Sequence, residues 1–293
     1  MVRPRGSTRS PLLVCEQPFV EGEPGGTALA RPAQPAARSR ALWLPRYQRL
    51  VSHLIRLPGG RCPRSELMRQ VLASAARLHE VLPDAVLKGG AAAPFHAGHR
   101  DSFDHDPVLS DLADRYGQVL EAMEATDGWV TSVRAGRPPL TLLGSLGGID
   151  AGLRQLRRAR PLEVVDVALP DDRHVRVPTL PEVLRIKAYL VVQRNQVRDY
   201  VDVVALADRL GHSEAVGVLA DIDGYYDDRS AVGDSVLTAL VQQLSEPRPR
   251  DTRVTGQLDA YKGLEPRWHD WATVVDACQG LADGLLRAVE DER

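Results

Sequence analysis

The chain has 293 residues, of which 43% are hydrophobic, and its formal net charge is −2. This composition excludes a chain that is disordered throughout, and it allows a sizeable hydrophobic core. Because the charge is nearly balanced, any RNA contact has to come from a local basic patch. Cys15, Cys62 and Cys278 lack the paired spacing of zinc ligands. With neither an apolar stretch of about 18 residues nor a signal-peptide pattern, we expect a cytoplasmic protein without a membrane partner.

The first part of the chain is predicted to be a flexible arm followed by strands and helices. Residues 1–40 are rich in Pro, Gly, Ala and Arg, so burial offers little to offset the entropy lost on ordering them. An amphipathic pattern predicts an interrupted helix over 41–57, and Ser65 is the predicted N-cap of a second helix that ends near Pro83. The elements expected next are a strand at 85–87, helical turns at 91–98, a strand at 103–108, a helix at 109–125, and strands at 129–133, 140–146 and 162–169.

The part of the chain beyond the last predicted strand is expected to be helical. Thr179 and Glu182 have the spacing of a capping box ahead of an apolar run, which predicts the start of a helix. Further helices are expected over 198–210 and 268–289. The sequence therefore predicts an α+β lobe at 41–178 followed by a helical lobe at 179–293.

The residues suited to chemistry follow the first predicted strand. Gly89 and Gly90 let backbone N–H groups approach a phosphate closely, at the positive end of the helix that follows. Asp104 and Asp106 are two positions apart on a predicted strand, so both carboxylates point to one side and can bind one Mg²⁺ or Mn²⁺. Ser102 shares that side by the same alternation and is expected near the bound phosphates.

A third carboxylate on a neighbouring strand would complete a two-metal site. Asp166 is the candidate, because a carboxylate inside the apolar run at 164–168 is costly unless it is paired or coordinated. Glu163 lies close to it in the sequence and is the alternative ligand. The sequence does not choose between the two carboxylates.

The stretch that holds the glycines and aspartates resembles the first two motifs of the AbiEii/MenT nucleotidyltransferases. Residues 87–90 are Leu-Lys-Gly-Gly, and residues 100–106 are Arg-Asp-Ser-Phe-Asp-His-Asp. Two positions depart from the family pattern, since Ala91 replaces a threonine and Pro107 replaces an aromatic residue. The first change removes a hydroxyl near the phosphates, and the second limits the strand's hydrogen bonding. Neither change removes a metal ligand.

A downstream stretch resembles the family's later motifs, so that the likeness covers about residues 70–210. Glu182, Lys187 and Arg194 match a lysine-bearing helix, and residues 198–202 have the Arg-Asp-x-x-Asp form of the helix that follows it. Lys187 stands in an otherwise apolar helix, which indicates that it reaches a phosphate. The alternative is that its stem lies along the surface of the lobe.

Asp199 and Asp202 share nearly one face of their predicted helix. Asp202 is expected to orient Lys187 or to bind the nucleotide's metal, and an Arg198–Asp202 surface pair is the alternative. The predicted catalytic residues are Asp104, Asp106, Lys187 and Asp202, the predicted metal ligands are Asp104, Asp106 and Asp166, and the predicted nucleotide-binding residues are Gly89, Gly90, Ser102, Arg194, Arg198 and Asp199.

The resemblance implies a fold and a reaction. The fold is a DNA-polymerase-β-like nucleotidyltransferase lobe with a C-terminal helical lobe. The reaction is the Mg²⁺- or Mn²⁺-dependent transfer of a nucleotide from an NTP to an RNA acceptor, for which the tRNA 3′ end is the family's precedent. Known members belong to toxin–antitoxin or phage-defence systems, so a cognate antitoxin is the expected protein partner.

Other functions stay open at this point. His96, His99 and His105 lie near the aspartates and suit a metal hydrolase, although no glutamate base accompanies them. The NTP site would also serve a protein kinase, and a catalytically inert binding partner could have kept the fold. Arginines are concentrated at 154–160 and 248–253, where they either contact RNA phosphates or form a solvated surface.

Overall fold

The computed structural model describes residues 65–133, 136–169, 172–227 and 235–291. The predicted arm at 1–40 and the helix predicted at 41–57 lie outside these residues. The described residues all belong to one compact unit. Among them, the strands end by Pro178, and the long helices that follow begin at Leu180.

The described residues form one mixed sheet of seven strands, in the order β3-β4-β5-β2-β1-β7-β6. The strands are β1 (Val86–Lys88), β2 (Asp104–Leu109), β3 (Trp129–Thr131), β4 (Thr141–Leu146), β5 (Ile149–Gln155), β6 (Val164–Ala168) and β7 (His174–Pro178). β2 pairs with β5, and β1 with β7, in parallel, whereas the other neighbours are antiparallel. The sequence predicted all of these strands except β5 and β7.

Helices lie between the strands and make up most of the chain beyond the sheet. They are α1 (Glu66–Val81), α2 (Gly89–Ala97), α3 (Tyr116–Glu124), α4 (Leu180–Arg194), α5 (Val197–Leu210), α6 (His212–Ala220), α7 (Asp223–Tyr226), α8 (Val236–Ser245) and α9 (Trp271–Asp291), with 3₁₀ segments at Thr252–Ala260 and Pro266–Trp268. The predicted α+β fold with a helical C-terminal part is confirmed. The division into lobes at residue 178 stays a prediction.

Two helices start at the predicted caps. The Ser65 hydroxyl accepts a hydrogen bond from the Met68 N–H at 3.1 Å, and the Thr179 hydroxyl accepts one from the Glu182 N–H at 3.3 Å. Each bond satisfies one of the N–H groups that a helix start leaves without a partner. Glu182 does not return the bond, because its carboxylate pairs with Arg158 instead. The capping box predicted at Thr179 is therefore only half formed.

The two faces of the sheet differ in what they carry. α1 packs on one face, where Leu109, Leu153 and Val177 are buried in the hydrophobic core. Alternation along the strands places Lys88 and Asp106 on the opposite face, at positions that are paired between β1 and β2. This opposite face therefore carries the charged residues.

Candidate active site

β2 brings the two predicted carboxylates to one face of the sheet. Asp104 and Asp106 are two residues apart on this strand, so their side chains point the same way. Asp104 Oδ1 accepts a hydrogen bond from the Ser102 hydroxyl at 3.2 Å. Asp106 Oδ1 accepts two from the guanidinium of Arg154 on β5, both at 3.2 Å. Burial raises the pKa of Asp106, Arg154 opposes that shift, and the neighbouring Asp104 adds to it.

The N-terminus of α2 faces this carboxylate pair. α2 follows β1 directly, and a Cβ at Gly90 would lie 3.1 Å from Ser102 Oγ and 3.4 Å from Asp104 Oδ1. Only a residue without a side chain brings the helix start so close without displacing Ser102 or Asp104. Lys88 is the N-cap and has no side-chain acceptor for the first N–H groups of the helix. These donors are therefore available to an anion beside the carboxylates.

β5 supplies residues that the sequence analysis missed. The register of β2 with β5 places Gly152 opposite Asp106, and a Cβ at Gly152 would collide with Asp106 Oδ1 and lie 2.7 Å from Leu143 Cδ2. Asp150 is paired with Asp104 and is exposed. The signal in the sequence was the alternation of apolar Ile149, Ala151 and Leu153 with Asp150, Gly152 and Arg154.

The donor set fits a divalent metal that is shared with a substrate. Among the described residues, no group of three or more His, Cys, Asp or Glu side chains is arranged to hold a metal ion. Mg²⁺ is commonly bound by one or two carboxylates together with substrate phosphates and water, so Asp104 and Asp106 suffice as protein ligands. Asp150, in the register opposite Asp104, is the nearest strand position from which a third carboxylate can join them.

Arg198 and Lys262 act electrostatically on the carboxylates and form no ion pair in the described ranges. Lys88 lies opposite Asp106 in the strand register, and Glu182 is the acidic group that favours its charged form. Burial lowers the pKa of Lys88 to about 8, and repulsion from Arg158 adds to the shift. Burial also lowers the pKa of Lys262, while the Asp104 carboxylate opposes that change. Arg198, at the start of α5, is close enough to Asp106 for its positive charge to lower the pKa of that carboxyl group. Their positive charges are available to an anionic ligand.

A second charged cluster is buried between α2, α4 and α5. Asp202 accepts hydrogen bonds from Arg100 Nε at 2.7 Å and Arg100 Nη2 at 2.9 Å, and it lies 2.7 Å from both His99 Nε2 and Lys187 Nζ. Arg100 also donates to the Gly90 carbonyl at 3.2 Å. Burial alone would raise the pKa of Asp202, yet the charges of Arg100 and Lys187 hold it well below its ordinary value.

The structure places Lys187 inside this cluster and not in the open site. Lys187 is 2% exposed, and its ammonium lies 3.8 Å from Asp199 Oδ1 in addition to its contact with Asp202. The predicted contact between Lys187 and the triphosphate is therefore absent from this arrangement. The alternative of a surface stem is also wrong, because the side chain is buried. Asp202 contacts Lys187, as an orienting role requires, and its full burial excludes an Arg198–Asp202 surface pair.

Two further residues predicted to bind nucleotide are engaged with each other. Arg194 Nη2 donates to Asp199 Oδ1 at 2.8 Å. Asp199 is 0% exposed, so it cannot contact a nucleotide in this arrangement. Arg194 keeps part of its side chain exposed. Of the downstream residues predicted to bind nucleotide, Arg198 is the one without an acidic partner in the described part of the chain.

Asp166, the predicted third metal ligand, lies in the wrong part of the sheet. It is on the edge strand β6, and β1 and β7 separate that strand from β2. Three strand spacings correspond to about 14 Å, which is too far for a shared metal. Its side chain is 70% exposed and pairs with Arg176. Glu163, the alternative, is bound by Arg185 and by the Tyr225 hydroxyl.

The three histidines of the hydrolase alternative do not converge. His96 Nε2 lies 2.7 Å from the Pro178 carbonyl, and His99 is bound to Asp202. His105 points to the other face of the sheet, where its Nε2 lies 3.0 Å from Ser74 Oγ. Since each ring has a different partner, the histidines do not form a metal site.

Sequence comparisons give partial relatives. No family model matches the chain. The chain is 30% identical over 247 residues to the "Heme uptake protein MmpL11" of Mycobacterium tuberculosis and to the "Probable transport protein MmpL11" of Mycobacterium bovis. Each alignment covers 76% of this chain and 23% of the relative. The chain thus spans about a quarter of the length of these curated relatives, and the activities in their names are theirs. No helix in the described residues is long and apolar enough to cross a membrane.

Comparison with solved structures finds matches of low similarity. The JHP933 protein of Helicobacter pylori has a TM-score of 0.44 and 18% identity, covering 78% of this chain and 95% of that one. A putative nucleotidyltransferase of the same species has a TM-score of 0.42 and 14% identity, and the match covers 77% of this chain and 96% of that one. Because these scores are below 0.5, an assignment of function has to rest on the geometry of the site.

Proposed function

We propose that the chain transfers a nucleotide from an NTP to an RNA acceptor, with Mg²⁺ or Mn²⁺ as the metal. The observation that carries this proposal is the position of the Asp104 carboxylate against the first turn of α2 at Gly90, beside Asp106. A helix N-terminus attracts phosphate, and a pair of carboxylates attracts a hard divalent metal. An NTP with its bound metal satisfies both at once.

In this reaction, a hydroxyl oxygen of the acceptor releases its proton to solvent and forms a bond to the α-phosphorus, while the bond from that phosphorus to the bridging oxygen breaks and pyrophosphate leaves. The metal held by Asp104 and Asp106 would supply charge neutralisation at the phosphate oxygens. Ser102 keeps the Asp104 carboxylate oriented through its hydrogen bond. Lys88 and Arg198 would stabilise the charge that develops on the leaving group.

The buried cluster has a positioning role in this proposal. Arg100 joins Asp202 on α5 to the Gly90 carbonyl at the start of α2, and Lys187 holds Asp202 from α4. These contacts fix the helix that binds phosphate relative to the helical part of the chain. Lys187 and Asp202 therefore act on the reaction through α2 and not by touching the NTP.

An RNA acceptor is supported by the likeness of residues 87–106 and 182–202 to the toxin nucleotidyltransferases. Arg250 and Arg253 are exposed, and neither has an acidic partner among the described residues, which suits contacts with RNA phosphates. The tRNA 3′ end, a toxin role and a cognate antitoxin belong to the same proposal. The reaction would take place in the cytoplasm, where NTPs and tRNA are present.

The test is incubation of the full chain with each of the four α-labelled NTPs, total RNA and Mg²⁺. We expect label on RNA with at least one NTP, and none with EDTA or with the Asp104→Asn variant. The same incubation with γ-labelled NTPs distinguishes a kinase, which would label protein with the γ-phosphate only. Label on neither RNA nor protein, in a protein that is folded and metal-loaded, contradicts the proposal.

A further inference from the structure

A turn near the C-terminus is fixed against the residues that precede β2. The backbone N–H of Asp101 donates to the Lys262 carbonyl at 2.8 Å, and the N–H of Glu265 donates to the His99 carbonyl at 2.7 Å. A Cβ at Gly263 would lie 2.8 Å from Asp101 Oδ2, so the turn approaches as closely as a glycine allows. The segment 262–265 is therefore attached to the edge of the carboxylate site.

Lys262 adopts an uncommon backbone conformation in this turn. Its φ is +44°, in the left-handed region that a lysine seldom occupies. Such conformations persist where surrounding contacts hold them, and they concentrate at functional sites. Here the contacts with Asp101 hold the turn, and the lysine side chain is directed towards Phe103, with Nζ 5.2 Å from the ring centroid.

The Lys262 ammonium is not neutralised by the protein. The side chain is half-buried, and no carboxylate in the described ranges lies within salt-bridge distance of it. The Asp104 carboxylate is nevertheless near enough to favour its charged form against burial. A cation in this position, beside a carboxylate that binds metal, suits the phosphate groups of a metal–nucleotide complex.

Phe103 is the one aromatic among the exposed large hydrophobic residues in the described part of the chain, and it is 49% exposed. Its ring faces the Lys262 ammonium, and the Asp104 carboxylate acts on that ammonium, so the ring lies at the edge of the same site. Single exposed hydrophobic side chains are common on protein surfaces, so the significance of this ring is its position beside Lys262. Nucleobases stack on aromatic side chains with little preference for the base.

We propose that Lys262 and Phe103 together bind the NTP, with the Lys262 ammonium on a phosphate and the Phe103 ring against the base. This inference rests on the proposed function. It adds Lys262, which lies outside the stretch with the nucleotidyltransferase motifs, and it gives a role to Phe103, which lies within that stretch. Lys262 neutralises part of the triphosphate's charge, whereas Phe103 holds the base independently of its identity.

Equilibrium binding by calorimetry separates the two roles, with the full chain, Mg²⁺, each of the four NTPs and inorganic tripolyphosphate as ligands. Lys262→Met should weaken both the NTP and tripolyphosphate by about tenfold or more, and Lys262→Arg should restore most of that loss. Phe103→Ala should weaken only the NTP, by about fivefold or more, and Phe103→Trp should retain binding. Arg287→Gln, an exposed charge on α9, is the matched control and should change neither affinity.

The outcomes distinguish this inference from the proposed function. If the folded wild-type chain binds none of the four NTPs, the proposed function fails. If the wild type binds an NTP and Lys262→Met binds it equally well, the inference fails while the proposed function stands. Loss of tripolyphosphate binding in Phe103→Ala would overturn the base-stacking role. Urea unfolding midpoints that match the wild type establish that each variant is folded.

Discussion

The molecule contains a buried carboxylate, Asp202, and an open pair of carboxylates, Asp104 and Asp106. Arg100 connects the two regions, because it contacts both Asp202 and the Gly90 carbonyl. Their negative charges are neutralised in different ways. Asp202 is fully buried, and three basic side chains of the protein surround it. Asp104 and Asp106 remain partly exposed, and only Arg154 forms an ion pair with them within the described ranges. Arg198 and Lys262, which lie near the open pair, form no ion pair within the described ranges.

This difference indicates which charges serve the fold and which serve a ligand. Burying a charge without a partner costs several kcal/mol, so the charges around Asp202 have to be matched within the protein. The open pair can remain incompletely matched because solvent reaches it, and a metal–nucleotide complex can complete it. We therefore expect substitutions in the two regions to affect different quantities.

The largest effect on stability is expected from Asp202→Asn. The change leaves Lys187 and Arg100 buried without their main counter-charge, which should lower the free energy of unfolding by about 3–5 kcal/mol. Urea denaturation, followed by circular dichroism, measures this change in the free energy of unfolding. Asp208→Asn, on the same helix but in an exposed pair with Arg267, is the matched control and should cost about 1 kcal/mol or less. Equal losses in the two variants would contradict the distinction between the regions.

The largest effect on activity is expected from Asp104→Asn. It removes a metal ligand while relieving repulsion between two close carboxylates, so nucleotide transfer should fall by about 10²-fold or more with no loss of stability. Asp150→Asn should also reduce transfer, because Asp150 lies opposite Asp104. Asp166→Asn, on the edge strand, is the control and should keep wild-type transfer rates. An Asp166 variant as inactive as the Asp104 variant would show that the sheet order misplaces the metal site.

Acid should weaken the fold through the buried histidines. Burial lowers the pKa of His96 and of His105 to about 4 from an ordinary value of 6.5. The unfolded chain protonates these rings below pH 6.5 while the folded chain keeps them neutral. Their contribution is therefore complete above pH 6.5 and is lost as the pH falls towards 4. Between pH 7.5 and 5.5, each should cost about 1.4 kcal/mol of unfolding free energy.

Urea unfolding at these two pH values tests this dependence. The His96→Gln variant should lose less stability between pH 7.5 and 5.5 than the wild type does. His174→Gln, at an exposed position on β7, should keep the wild-type dependence. If the His96 variant loses as much stability between pH 7.5 and 5.5 as the wild type does, burial of the His96 ring is not the cause of that loss.

The smallest effect is expected from Arg154→Gln. Arg154 is half exposed and pairs with Asp106, so a metal ion has to compete with its guanidinium for the carboxylate. Exposed ion pairs contribute about 1 kcal/mol or less, and removing this one should therefore tighten Mn²⁺ binding by about two- to fivefold. Titration of the nucleotide-free protein followed by electron paramagnetic resonance measures the affinity. Arg157→Gln is the exposed control, and unchanged or weaker Mn²⁺ binding in the Arg154 variant would contradict competition.

Local signals predicted much of the fold. The hydroxyls of Ser65 and Thr179 cap their helices as expected, because a cap depends on residues three positions apart. The Gly-Gly start of α2 and the two aspartates of β2 were also assigned to adjacent elements, and their contact follows from the short connection between them. These features need little information from distant parts of the chain.

The order of the strands could not be predicted from the sequence. Asp166 was chosen because it interrupts an apolar run, but β6 lies at the edge and β5 lies next to β2. β5 itself was missed since Gly152 and the charged residues around it reduce its apolar content, although Gly152 is needed beside Asp106. Lys187 shows a similar limit, because an unusual lysine in an apolar helix is equally compatible with a ligand or with a buried aspartate.

The hydrogen bonds from Asp101 to Lys262 and from Glu265 to His99 have a consequence for protein synthesis. The two halves of this contact are about 160 positions apart, which a ribosome covers in roughly 8 to 32 seconds at typical rates. During that interval, the nascent chain contains α2, the aspartates of β2 and residues 99–101 between them. It does not yet contain the turn at 262–265 that forms hydrogen bonds with residues 99–101. Translation must therefore pass residue 265 before this edge of the site has its complete set of backbone partners.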